Sequence, residues 1–133
     1  MEIVLIDTSV WVNIFRGIET DATKYLKSNK EYIYSATCPT IIQEILQGIV
    51  NDKQYKVISE RLNNLVKLTP ANYNDAEEAA NLYRGLRLKG VTIRKPNDCL
   101  IAVYAIKNNI RILHDDKDFT NIAAFGDLKT VKL

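Results

Sequence analysis

Ile3, Val4, Leu5 and Ile6 form an unbroken apolar run closed by Asp7. A strand covered on both faces in a parallel sheet reads this way, because neither side of it alternates to polar residues. Thr8 is then placed to cap a helix running through Val10, Trp11 and Ile14 to Phe15, with Gly17 as its stop. A short helix is expected over Ala22 to Leu26 and a strand over Tyr32 to Ala36. Pro39 suits a helical first turn, and Ile41, Ile42, Ile45, Leu46 and Ile49 recur behind it at helical spacing.

From Asp52 to Leu65 an amphipathic helix is expected to bury Val57, Ile58, Leu62 and Leu65, followed by a short strand at Val66 to Thr69. Asp75 to Leu88 reads as another helix, ended by Gly90. Pro96 and Asn97 open a segment that is apolar nearly all round, from Cys99 to Ile106, which marks a central, buried helix. Arg111 to Leu113 is expected as a strand, Phe119 to Ala124 as a short helix and Leu128 to Val131 as a last strand. Strands alternating with helices, without repeats or linkers, predict a three-layer α/β/α domain with a central, mainly parallel sheet. One domain is expected to fill residues 1–133.

Composition narrows the class. The chain is 47% hydrophobic and 26% charged, with 5 Gly, 3 Pro and 2 Cys in 133 residues. Collagen-like, disordered and disulfide-stapled classes are excluded, and a chain of this length can bury a sizeable core by itself. No run approaches the ~20 apolar residues of a membrane-spanning helix, and no signal peptide is read after Met1, so a cytoplasmic protein without a membrane partner is expected. Cys38 and Cys99 fall in no metal-binding spacing and read as buried thiols.

The acids carry the candidate chemistry. Asp7 ends the first buried strand, and Asp115, Asp116 and Asp118 follow the strand Arg111 to Leu113. In open α/β sheets, ligands bind in the crevice beyond the strand carboxyl ends. Asp98 lies in the first turn of the most buried helix, where the helix dipole favours a carboxylate. At about 100° per residue, Glu44 falls on the flank of its helix's apolar stripe, one turn from Gly48. Each acid alone has an ordinary reading as a cap or first-turn residue. Together, four acids from four elements with no Arg or Lys beside them would repel unless they held a divalent cation. Oxygen ligands without a suitable His or Cys favour Mg²⁺, with Mn²⁺ as a substitute.

Four strings then resemble the motifs of the PIN domain, and most closely those of VapC toxins: IVLIDTSVW from Ile3, TIIQEILQG from Thr40, PNDCLIAVYA from Pro96 and ILHDDKDF from Ile112. Their order and approximate spacing agree over the whole chain. The resemblance implies a Mg²⁺-dependent endoribonuclease that cuts RNA phosphodiester bonds and is inhibited by a cognate VapB-type antitoxin. It also implies the site. Asp7, Glu44 and Asp98 match the first three acids of the family; Asp116 fits the fourth best and Asp118 second. Asp115 is left out. His114 stands where family members often have Thr. Asp7, Asp98 and Asp116 are the expected metal ligands, with Glu44 and Asp118 acting through water or on a second ion, and Thr8 as a neighbouring hydrogen-bond donor that competes with its role as a cap.

RNA must also be held. Arg84, Arg87, Lys89, Arg94 and Lys95 occur without an intervening acid just before Asp98, and Arg84, Arg87, Arg94 and Lys95 are candidate phosphate contacts. A solvated basic face is the plainer reading. His114, the only histidine, is expected to pack or hydrogen-bond rather than serve as a base. Trp11 and Phe15 suit core packing better than a homodimer or antitoxin surface, although a homodimer is expected. An aspartyl-phosphate phosphatase fails because position 9 is Ser, and a receiver module lacks its acidic pair and mid-chain phosphoacceptor. The remaining alternatives keep the fold: a PIN nuclease for RNA maturation, or a PIN module that only binds RNA.

Charge takes on meaning only at this stage. The formal net charge is +2, from 18 Lys and Arg against 16 Asp and Glu. With Asp7, Glu44, Asp98, Asp116 and Asp118 set aside in a metal pocket, 11 acids remain and the rest of the molecule carries +7. A basic surface around an acidic centre is the distribution expected to meet RNA.

Overall fold

The computed structural model describes all 133 residues. Four strands, β1 (Glu2–Ile6), β2 (Ile33–Thr37), β3 (Val66–Lys67) and β4 (Arg111–Leu113), form one sheet in the order β3-β2-β1-β4. Every pairing is parallel. Seven helices cover it: α1 (Thr8–Phe15), α2 (Asp21–Asn29), α3 (Pro39–Gln47), α4 (Asp52–Asn63), α5 (Tyr73–Leu88), α6 (Asn97–Lys107) and α7 (Lys117–Phe125). No helix is long and apolar enough to cross a membrane.

The apolar run of β1 is divided by its pleat. Leu5 joins Ile112 in the larger core, with α3 and α6. Val4 and Ile6 point the other way, onto Val10, Ala22, Leu26 and Leu113. All three β1 residues are fully buried, so a continuous hydrophobic strand is required there. Helix α6 supplies Ile101, Ala102 and Ala105 to the larger core at no measurable exposure, which explains why its sequence is apolar nearly all round. Gly17 and Gly90 close α1 and α5 with positive φ of 70° and 83°, where an L side chain would be strained.

Several boundaries differ from the sequence expectation. Helix α2 extends to Asp21–Asn29, opened by a capping box on Thr20 that the apolar pattern does not reveal. Val57 is 51% exposed, because Ile58 and Leu62 alone turn α4 onto the core. The expected last strand is reduced to a single parallel bridge between Ile112 and Thr130. Strand β4 is only three residues long and offers little further edge to pair with. Cys38 and Cys99 are free and buried, and burial pushes each thiol up to about 11.

Candidate metal and catalytic site

The parallel register brings the chemistry to one edge. Asp7 leaves the C-terminal end of β1, its N–H donating to Leu113 O of β4 at 2.9 Å, and Asp115 and Asp116 follow β4 after His114. Asp98 stands in the first turn of α6, and Glu44, past the middle of α3, is tied to the same edge by the Thr8 hydroxyl. Asp7, Asp98, Asp116 and Asp118 are all buried, at 1%, 1%, 7% and 3% exposure. Four carboxyl groups do not leave water without either partners or a cation.

Asp7 is the N-cap of α1. Its Oδ2 accepts from the Ser9 N–H at 3.0 Å and from the Ser9 hydroxyl at 2.6 Å. Ser9 Oγ in turn accepts from the Asp115 N–H at 2.9 Å, tying the ends of β1 and β4 together. Capping therefore falls to Asp7 and not to Thr8. Thr8 instead donates its hydroxyl to Glu44 Oε1 at 2.9 Å. Asp7 Oδ1 is left buried without a partner. Burial raises the Asp7 pKa against the Ser9 hydrogen bonds, and burial, opposed by Thr8, also raises that of Glu44.

Across the crevice, one oxygen each of Asp98, Asp116 and Asp118 lie within 4.8 Å of one another. Asp7 is outside this tightest group, with Oδ2 held by Ser9 and Oδ1 left free. Its charge still reaches Asp98 and Glu44 and raises both. Asp98 is pushed up to about 8, first by burial and then by a hydrogen bond shared with Asp118, with Lys95 opposing. Asp98 Oδ2 also lacks a hydrogen-bond partner. Asp116 caps α7 through the Asp118 N–H, at 2.9 Å from Oδ1. Burial acts to raise Asp116, but hydrogen bonds from Lys95 and the Asp118 amide outweigh it and leave it lowered.

The acids do have basic neighbours, contrary to the sequence expectation. Lys95 Nζ lies 2.6 Å from Asp116 Oδ2 and 3.8 Å from Asp98 Oδ2, and Arg94 reaches Asp116 Oδ1 at 3.4 Å. Asp118 accepts from the backbone amides of Arg94 and Lys95 at 3.3 and 3.1 Å. The four basic candidates consequently divide into two pairs. Arg94 and Lys95 adjoin the carboxylates, while Arg84 and Arg87 border a separate shallow cavity of about 430 Å³ with Pro96, Asn97 and Leu100. Arg87 there lies 5.6 Å over the Tyr83 ring.

His114 accepts the Asp116 N–H at Nδ1, 3.2 Å away, and packs on Phe119 with ring centroids 5.4 Å apart. It orients the fourth acid where sequence reasoning left the orienting group open. Burial lowers its pKa, which suits a neutral ring that accepts. Ser9 went unrecognised among the functional candidates, although its place two residues after a capping Asp is the available signal. Asp115, set aside at first, has a holding role: it accepts from Asn13 at 2.9 Å and Thr20 at 2.8 Å, pinning α1 and the start of α2. An all-polar depression of about 490 Å³ opens beside Asp115, Asp116 and Asp118, with Arg94 and Lys117 on its walls.

The donor set fits a hard divalent cation. It offers only carboxylate oxygens, two of them buried without hydrogen-bond partners, and the burial that pushes Asp98 up to about 8 is a cost that a bound cation would offset.

Fold and acidic crevice define a class, and direct comparison bears it out: the chain belongs to the PIN-domain family, whose pattern matches residues 4–124. Within that family its relatives are VapC ribonucleases. It is 38% identical over 128 residues to VapC ribonuclease Mb1587 of Mycobacterium bovis and to Ribonuclease VapC11 of Mycobacterium tuberculosis, covering 95% of this chain and 96% of each relative. Among solved structures, VapBC2 of Rickettsia felis, bound to a promoter DNA fragment, superposes with a TM-score of 0.74 at 18% identity over 97% of both chains. VapC20 of Mycobacterium tuberculosis, a toxin that cleaves the sarcin-ricin loop, superposes with a TM-score of 0.69 at 17% identity over 98% of this chain and 99% of that one.

Proposed function

We propose that residues 1–133 form one PIN domain acting as a Mg²⁺-dependent endoribonuclease, the toxin of a VapBC-type pair in the cytoplasm. The observation that carries this reading is the convergence of Asp98, Asp116 and Asp118 within 4.8 Å beside two buried, unpartnered carboxylate oxygens on Asp7 and Asp98. The 38% identity to named VapC ribonucleases supports it independently.

Asp7, Asp98 and Asp116 would hold the ion, and Asp118, which accepts the Arg94 and Lys95 amides, steadies the segment that leads into Asp98. Mg²⁺ bound there supplies Lewis acidity, neutralising phosphate charge and acidifying water. Glu44, with its raised pKa and its carboxylate steadied by Thr8, takes the proton of the attacking water. The water oxygen forms the new bond to phosphorus as the bond to the leaving ribose oxygen breaks, and that oxygen takes up a proton from solvent to leave as a hydroxyl. Arg84, Arg87, Arg94 and Lys95 hold phosphates on the approach to the site.

A VapB-type antitoxin and a second copy of the chain are the proposed protein partners. A groove of about 380 Å³ beside Glu44, walled by Val12, Phe15, Ile45, Ile49 and Ile58, supports the first, since an apolar segment seated there would lie against a catalytic acid. RNA cleavage that requires Mg²⁺, stops with EDTA and disappears in Asp98→Asn is the decisive test. Cleavage that persists in EDTA overturns the metal mechanism. Growth arrest on expression, relieved by Asp98→Asn, separates a toxin from an RNA-maturation enzyme or an RNA-binding module.

A further inference from the structure

Lys95 occupies a place that the proposed chemistry gives to a metal. Its Nζ lies 2.6 Å from Asp116 Oδ2 and 3.8 Å from Asp98 Oδ2, the same Asp98 oxygen that has no hydrogen-bond partner. The backbone beneath it is fixed, because Asp118 accepts the amides of both Arg94 and Lys95. Beyond that anchor the side chain is a flexible four-carbon arm, still 46% exposed, with open water to swing into. Arg94 is unlike it. Its side chain is 73% exposed and only skirts Asp116, at 3.4 Å.

Charge makes this a contact that a divalent ion can displace. Asp98 and Asp116 share one close ammonium, with Asp118 beside them, and that single charge neutralises at most one of the three. A divalent ion brings twice the charge and can share oxygens that an ammonium only touches. An ammonium is a compact point charge whose donors rotate freely, so exchange costs it little geometry, whereas a planar guanidinium is fitted to one fork of acceptors.

We propose that Lys95 is a tethered counter-cation: its ammonium holds the Asp98–Asp116 position in the metal-free protein and, displaced when a divalent ion binds, it takes hold of the substrate phosphate next to the cut. The inference rests on the metal-dependent nuclease reading and deepens it. One side chain then links loading to substrate capture. Before loading, Lys95 shields the acids from one another. After loading, a cation appears beside the scissile phosphate only when the metal is also there.

The test measures Mn²⁺ binding to the full, RNA-free chain by electron paramagnetic resonance, in the unaltered protein, Lys95→Met and Arg94→Met. A tethered competitor predicts that Lys95→Met binds Mn²⁺ roughly tenfold more tightly, the scale of one charge-assisted hydrogen bond, while Arg94→Met changes the constant less than about twofold. An unchanged or weaker constant in Lys95→Met overturns the proposal. So does an equal tightening in Arg94→Met, which would reduce the effect to net charge. Lys95→Gln provides a second variant should Lys95→Met fold poorly, judged by its circular dichroism melt.

The phosphate half is read at saturating Mg²⁺ on a short RNA. Lys95→Met should raise KM more than it lowers kcat and flatten the salt dependence of RNA binding by about one phosphate contact. A fall in kcat with KM and salt slope unchanged overturns that half. Tighter Mn²⁺ binding in a protein that cuts no RNA would leave the counter-cation standing and sink the nuclease reading, so the two fail separately.

Discussion

Strands β1 and β4 lie side by side, and their two ends handle charge in opposite ways. At the N-terminal end Arg111 meets Glu2 with two hydrogen bonds of 2.7 and 2.6 Å, one acid matched to one base, both partly in water. At the C-terminal end Asp7 and Asp116 are buried, joined by Asp98 and Asp118, and acids outnumber the cations that reach them. The first end is electrostatically complete and has nothing left to bind. The second is incomplete by design of the backbone: strand ends and helix N-termini hold the carboxyl groups together, and the deficit of positive charge becomes an affinity for a divalent ion. Stability and function thus occupy opposite ends of the same pair of strands.

The largest break in this contrast should come from Asp7→Asn. Asn caps a helix as well as Asp does, so the fold should hold and the metal-free melting temperature should rise as a buried charge is removed. RNA cleavage should fall at least about 10³-fold, the rate equivalent of several kcal/mol of lost electrostatic stabilisation. Melting curves and cleavage rates on the same preparation check both signs; a lower melting temperature would show that Asp7 contributes to folding as a charge.

Next in size is the pH dependence of metal affinity. Asp98 titrates at about 8 in the folded chain, against 3.8 for an ordinary Asp. Metal must displace that proton, so Mg²⁺ or Mn²⁺ affinity should rise roughly tenfold per pH unit up to about 8 and level off above it. The same shift has a stability sign. Between about 4 and about 8 the native state holds a proton the unfolded chain has lost, so metal-free stability should decline as pH rises through that window. Calorimetric titrations and urea melts at several pH values check the two; flat profiles would place the Asp98 proton elsewhere.

Ser9→Ala comes third. It removes the hydroxyl that orients Asp7 and accepts the Asp115 amide, and such supporting partners are typically worth about 10- to 100-fold in metal affinity or activity. Mn²⁺ binding should weaken along with cleavage. Glu2→Gln is the smallest: a half-exposed pair contributes at most about 1 kcal/mol, and cleavage should be unaltered. A urea melt and one rate measurement suffice, and a loss of cleavage would mean that the two ends communicate.

Most of the layered architecture was legible because burial on both faces leaves a run such as Val4 to Ile6 no alternative reading, and a helix as apolar as α6 can only be central. The ends of elements were less so. The capping box on Thr20, the exposure of Val57 and the reduction of the last strand to one bridge depend on local hydrogen bonds and edge length, which hydropathy does not encode. Acids at strand ends, in the first turn of a buried helix and on the border of an apolar stripe are anomalous in a core, and the resemblance to PIN-domain motifs singled out the five candidates among them. Their individual environments were not legible, since Asp7 and Thr8 are adjacent and equally able to cap.

The sequence by itself determined which side chains would be forced together: the period of the apolar residues sets the strands and helices, and parallel pairing sends the C-terminal ends of β1 and β4 to one edge. Only the tertiary structure decided how each carboxyl group is held. Asp7 turns to Ser9, Glu44 to Thr8, Asp116 to Lys95 and Asp118 to two backbone amides, partners between 2 and 36 positions away along the chain. Hydrophobic burial is non-directional and can be read from composition and period, whereas hydrogen bonds and ion pairs depend on angles and distances that exist only once distant segments have packed.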